Sequence, residues 1–188
     1  MKVKLNPMFE EARGSLGEVV FRHRDGQTIA GRKPSTAAEP TAGQAAHRER
    51  FKQAAGFAKS VMADSSLRAL YQVMAESKDM STFNAAIADF LTLPSIESVG
   101  LADYHGGLGD PIHIVATDAF GVVSVHVSIL DAAGVTLESG AAVETAAGSG
   151  NWTYAGQASI VSGSSLTIQV TATDRPGGLT STTRNKSI

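Results

Sequence analysis

Near residue 95 the hydrophobic period of this chain changes from about 3.6 residues to 2, and little else constrains the fold as strongly. A helix gathers every third or fourth side chain on one face, whereas a strand sends successive side chains to opposite faces. A segment patterned for one cannot bury its apolar face as the other. The chain is therefore expected to be α+β in two modules, an N-terminal hairpin-and-helix module over 1–94 and an all-β module over 95–188.

The all-β expectation rests on three runs. Ile112, Ile114 and Ala116 alternate with His113, Val115 and Thr117; Val123, Val125, Val127 and Ile129 alternate with Ser124, His126 and Ser128; and Leu166, Ile168, Val170 and Ala172 alternate with Thr167, Gln169 and Thr171. Each reads as a half-buried antiparallel strand. Turn signals at Gly106-Gly107, Asp131 to Gly134, Gly148 to Gly150, Gly163 and Pro176 to Gly178 space these runs as in a sandwich. About seven strands in this length is the size of an immunoglobulin-like sandwich. Trp152 and Tyr154 share a strand face and read as core.

The first half punctuates differently. Glu18 to Arg24 is β-branched and aromatic, Asp25-Gly26 suits a two-residue turn, and Gln27 to Lys33 runs back. That register sets Phe21 opposite Ala30 and Arg22 opposite Ile29, so neither face is cleanly apolar. Pro34 and Pro40 bracket a link. Three helices follow: one opened by the capping box Thr41 to Gln44 with the stripe Phe51, Ala54, Ala55, Ala58, Val61 and Met62; one opened near Asp64 with Leu67, Leu70, Tyr71 and Met74; and one capped by Ser81 with Phe83, Ile87, Phe90 and Leu91, ended by Pro94.

Composition narrows the chemistry. There is no cysteine, which excludes disulfides and thiolate metal sites. No apolar stretch approaches the roughly 20 residues of a membrane span, and the N-terminus lacks a secretory h-region, so synthesis in a cytoplasm without membrane association is expected. Residues 1–60 carry eleven Lys/Arg against six Asp/Glu, while 95–188 carry three against eight. Two modules facing different partners, or attraction between copies, would follow from that asymmetry.

The sequence has no P-loop, dinucleotide fingerprint, zincin motif, serine elbow or EF-hand loop. Its five histidines (His23, His47, His105, His113 and His126) do not cluster. No enzymatic activity and no cofactor is expected. Asp118 and Asp174 each end a strand in Ala-Thr-Asp and should meet at one tip of the sandwich. They could share Ca²⁺, but turn-capping is the stronger reading, because two acids fall short of its six to eight oxygens. The marginal hairpin makes Val19, Val20, Phe21, Arg22, Arg24, Ile29 and Arg32 the candidate assembly contacts, with other structural subunits as partners rather than nucleic acid.

Two resemblances add to this. The runs Pro111 to Asp118, Gly121 to Val127, Gly150 to Tyr154 and Leu166 to Asp174 resemble core strands of bacterial immunoglobulin-like domains over 95–188. Such domains serve as spacers and display modules on cell surfaces and phage virions. Gly14-Ser-Leu-Gly-Glu-Val-Val-Phe21, Arg32-Lys-Pro34 and the Gln44 to Phe51 helix are similar, more loosely, to short phage and prophage proteins. Together they imply a structural virion protein, such as a capsid decoration or minor virion protein. A subunit of another extracellular filament or injection system, or a carbohydrate- or surface-adhesion module, is the alternative.

Overall fold

The computed structural model describes residues 13–24, 27–33 and 39–188. Asp25-Gly26 and Pro34 lie outside the described residues. The fold is α+β, with three helices and eleven strands among the described residues, their strand pairs all antiparallel. It divides into two compact units, Met1–Ala46 and His47–Ile188.

In the first unit, β1 (Gly14–Leu16), β2 (Val19–Arg24) and β3 (Gln27–Arg32) form one sheet in that order. The β2–β3 register sets Phe21 opposite Ala30 and Arg22 opposite Ile29, as expected. Strand β1 was not expected. Leu16 pairs directly with Val19, so Gly17 and Glu18 make a two-residue turn, and Gly17 takes φ +58°, which a glycine at its first position allows.

The second unit holds most of α1 (Ala42–Ala63), then α2 (Ser65–Glu76) and α3 (Thr82–Leu91). Their caps follow the sequence. Thr41 and Gln44 exchange backbone and side-chain hydrogen bonds; Asp64 Oδ1 accepts from the amides of Ser66 and Leu67; Ser81 Oγ accepts from the Asn84 amide. Losing such a cap typically costs about 1 kcal/mol. The buried residues are Ala54, Ala58 and Val61 of α1, Tyr71 and Ala75 of α2, and Ala85, Ala86 and Asp89 of α3. Three expected stripe residues, Phe51, Met62 and Leu70, are instead exposed. Small residues let the helices approach closely, and the large apolar side chains flank that contact.

The remaining strands form two four-stranded sheets. One has the order β4 (Ser95–Gly100), β5 (Pro111–Thr117), β9 (Asn151–Ala155), β8 (Val143–Glu144); the other β11 (Leu179–Ser187), β10 (Ser165–Thr173), β6 (Ser124–Leu130), β7 (Thr136–Ala141). Between them lies a core of Ile112, Ile114, Val125, Val127, Ile129, Trp152, Tyr154, Leu166, Ile168 and Val170. The chain crosses from the second sheet to the first at the buried Ala142, between β7 and β8. Val123, expected to open the β6 alternation, precedes that strand and is half exposed.

The division between units falls at 46/47, not at the expected 94/95. The reason is a shared core. Phe120, on the β5–β6 connection, is 6% exposed and packs with Ala58, Val61, Tyr71, Ala75, Ala85 and Ala86. Pro94 itself is buried. A methyl at Gly178, on the β10–β11 turn, would stand 2.7 Å from Leu93. Periodicity marks where helix gives way to strand, but it carries no information on whether the two layers pack together.

Candidate functional site

The expected assembly residues fall on two faces of the N-terminal sheet. Opposed residues in an antiparallel pair share a face. Leu16, Val19, Phe21 and Ala30 therefore lie on one side, while Val20, Arg22, Ile29 and Gly31 lie on the other. Because β1 adds Leu16 beside Val19, the first face is more apolar than the hairpin alone implied. Leu16 is 73% exposed and Ile29 48%, and Val20 and Phe21 are only half-buried. Among the described residues, none before Ala54 is buried.

The second face carries a shallow depression lined by Val20, Arg22, Ile29 and Gly31, with Arg32 at its rim. Arg32 also sits 3.3 Å from Glu18 in an ion pair exposed to solvent on both sides, an arrangement worth little stability. Arg22 is exposed. Arg24 ends β2, and its side chain lies outside the described residues. The structure thus brings Val20, Arg22 and Ile29 together on one face and sets Val19 and Phe21 on the other, with Arg32 paired opposite Val19 at the edge of the depression.

Asp118 and Asp174 both occupy loops at one end of the sandwich. Asp118 Oδ1 accepts from the amides of Phe120 at 2.7 Å and Gly121 at 3.1 Å. Asp174 Oδ1 accepts from the Gly178 amide at 2.5 Å. Both therefore organise turns. Among the described residues, no three His, Cys, Asp or Glu side chains gather closely enough to hold a metal ion. His113 and His126 are exposed on opposite sheets, and His113 faces Asp103 at 3.8 Å.

Asp89 was not among the expected site residues. It lies on α3, 0% exposed, and its Oδ2 accepts from the hydroxyl of the equally buried Tyr71. Its Oδ1 has no hydrogen-bond partner, and neither has Oδ2 of Asp174, which is 2% exposed. Arg175 lies in the same region: its guanidinium stands 5.9 Å from the Tyr71 ring centroid and donates to the Phe120 carbonyl at 3.3 Å. Burial, then the like charges of Asp118 and Asp174, push Asp89 up to about 6, against the pull of the Tyr71 hydrogen bond and Arg175. Burial also raises Asp174. The available signal was a lone acid within the apolar run Ala85 to Leu91, one turn after Ala85 and Ala86.

Among the described residues, no helix is long and apolar enough to cross a membrane. No protein-family model matches the chain, and no curated protein matches it. Among solved structures it is similar to CopC from Methylosinus trichosporium OB3b, at 14% identity and a TM-score of 0.37, over 49% of this chain and 89% of that one. A likeness that slight carries no argument about function.

Proposed function

We propose that this protein is a non-enzymatic structural subunit of a repeating assembly, namely a capsid decoration or minor protein of a phage virion. Its N-terminal sheet is the docking element, and it carries an immunoglobulin-like sandwich as the displayed part. The observation that carries this reading is the sheet β1–β2–β3, in which Leu16, Val19 and Ile29 remain exposed and no described side chain is buried. Three strands with one apolar face sit at the lower limit of independent stability. Each apolar side chain fully buried on a lattice would contribute about 1.5–3 kcal/mol. The immunoglobulin-like reading draws support from the grouping of β4, β5, β9 and β8 against β11, β10 and β6, which corresponds to the ABED and CFG sheets of that fold.

The test uses particles purified from the native host by density gradient. They should contain the full-length chain, and should lose it when residues 1–33 are deleted or when Phe21→Asp is introduced. Arg22→Gln and Arg24→Gln should mainly increase salt sensitivity. Normal occupancy by the truncated chain, or no association with any particle, overturns the proposal.

A second reading, a glycan-binding module, rests on the outward face of the sheet β11-β10-β6-β7. Its rows, such as Thr183–Gln169–Ser128–Ser139 and Ser181–Thr171–His126–Ala141, present hydroxyls, the Gln169 amide and the His126 imidazole, with no Lys, Arg, Asp or Glu among them. Glycan-array binding by the full-length chain, lost on Gln169→Lys, would favour it.

A further inference from the structure

The packing of the helices on the sandwich end encloses more negative than positive charge. From α3 comes Asp89, with one oxygen unpartnered; from the β5–β6 connection, Asp118; from the β10–β11 turn, Asp174, also with one oxygen unpartnered, and Arg175. From α2 comes the Tyr71 hydroxyl, and just after it Lys78, whose ammonium stands 5.1 Å from the Phe120 ring centroid. Arg175 brings a guanidinium into this group beside the Lys78 ammonium, and its hydrogen bonds go to the Phe120 carbonyl and the Met74 sulfur rather than to a carboxylate. A carboxylate buried without a full set of donors is costly when charged and much less so when neutral.

We propose that this junction is a proton-operated latch, closed tightly while Asp89 carries a proton and loosened once Asp89 ionises. Tyr71 donates to Oδ2 in either state, so the proton goes to Oδ1, the oxygen that otherwise lacks a partner. Removing it places a third negative charge beside Asp118 and Asp174, with Arg175 already engaged elsewhere. Opening the junction hydrates all three carboxylates. It also withdraws Phe120 from between the helices, so one titration controls a contact made by both layers.

The sign follows from linkage. Burial, with the like charges of Asp118 and Asp174, makes Asp89 hold its proton more tightly in the closed form, up to about 6, than the 3.8 of a solvated aspartate. Closure is therefore strongest below 3.8 and weakens as pH rises through about 6. From pH 5 to pH 7.5 the opening equilibrium should rise about tenfold.

The test is hydrogen exchange on the full-length chain, with protection factors corrected for intrinsic rates. Amides of α2 and α3 should lose about tenfold protection between pH 5 and pH 7.5, while those at the centres of β5 and β10 hold theirs. Asp89→Asn should abolish the difference and leave the helices protected at both pH values. Asp118→Asn keeps the acceptor for its turn amides but removes a like charge, so it should move the midpoint to lower pH. Tyr71→Phe removes a donor that favours the ionised form, and should move it higher. Equal helix protection at both pH values in the unmodified chain overturns the latch, as does an undiminished pH dependence in Asp89→Asn. Restoration of full protection at pH 7.5 by millimolar Ca²⁺ or Mg²⁺ also overturns it, in favour of a cation site.

Discussion

Replacing Phe120 by alanine should weaken the packing of the helical layer on the sandwich, and so destabilise both together, without removing a side chain from the sandwich's own core. Phe120 belongs to the helical cluster with Tyr71 and Ala58, although it sits on the β5–β6 connection. Truncating a buried phenylalanine costs roughly 3–5 kcal/mol where the site cannot collapse. The Lys78 ammonium over the ring, at 5.1 Å, adds about 0.5–1 kcal/mol. A total near 4 kcal/mol should lower Tm by roughly 10 °C for a cooperative unit of this size. Differential scanning calorimetry of the full-length chain measures this directly. The helices and sandwich should melt in one transition, and the variant should shift that transition as a whole. Two resolved transitions in the unmodified chain, with Phe120→Ala moving only the helical one or neither, would refute the shared core. They would return the module boundary to 94/95.

Two further substitutions probe the sandwich. Glu138 is buried and accepts from the Tyr104 hydroxyl at 3.3 Å and the Gln157 amide at 2.7 Å; Glu138→Ala orphans both donors and should cost about 2–3 kcal/mol in urea denaturation, and a loss under 0.5 kcal/mol would refute the role. Gly148 and Gly150 have nearly equal positive φ, 72° and 71°, but a methyl at Gly150 would stand 2.9 Å from the Ala116 carbonyl oxygen while one at Gly148 meets open space. Gly150→Ala should therefore destabilise by about 1–2 kcal/mol more than Gly148→Ala, and equal effects would show that backbone conformation alone matters.

Much of the fold was legible because its signals are local. The caps at Thr41, Asp64 and Ser81 and the β2–β3 register depend on residues close in sequence, and the structure has them as expected. Strands β5, β6 and β10 pair on both sides and alternate strongly. The edge strands were harder to see. β11 reads Leu-Thr-Ser-Thr-Thr-Arg-Asn-Lys-Ser and has no buried residue, so its alternation is faint. β1 is three residues long. The burial of Phe120 and Asp89 was not anticipated, because their environments are made by distant segments. The tip pair Asp118 and Asp174 was visible from matching strand ends, whereas its third carboxylate was not.

The crossing at Ala142 has a consequence for how the sandwich comes together. Every strand in it is paired with its neighbour in sequence: β4 with β5, β6 with β7, β8 with β9, and β10 with β11. Each sheet is then two such hairpins joined side by side, through β5–β9 in one and β6–β10 in the other. Because the chain changes sheets between β7 and β8, the second hairpin feeds the third without a long excursion. Only two joins must be found at a distance, so the entropic cost of loop closure is concentrated in those encounters. A lesion on β5 or β9 that weakens their join should slow folding more than an equal loss of stability within a hairpin.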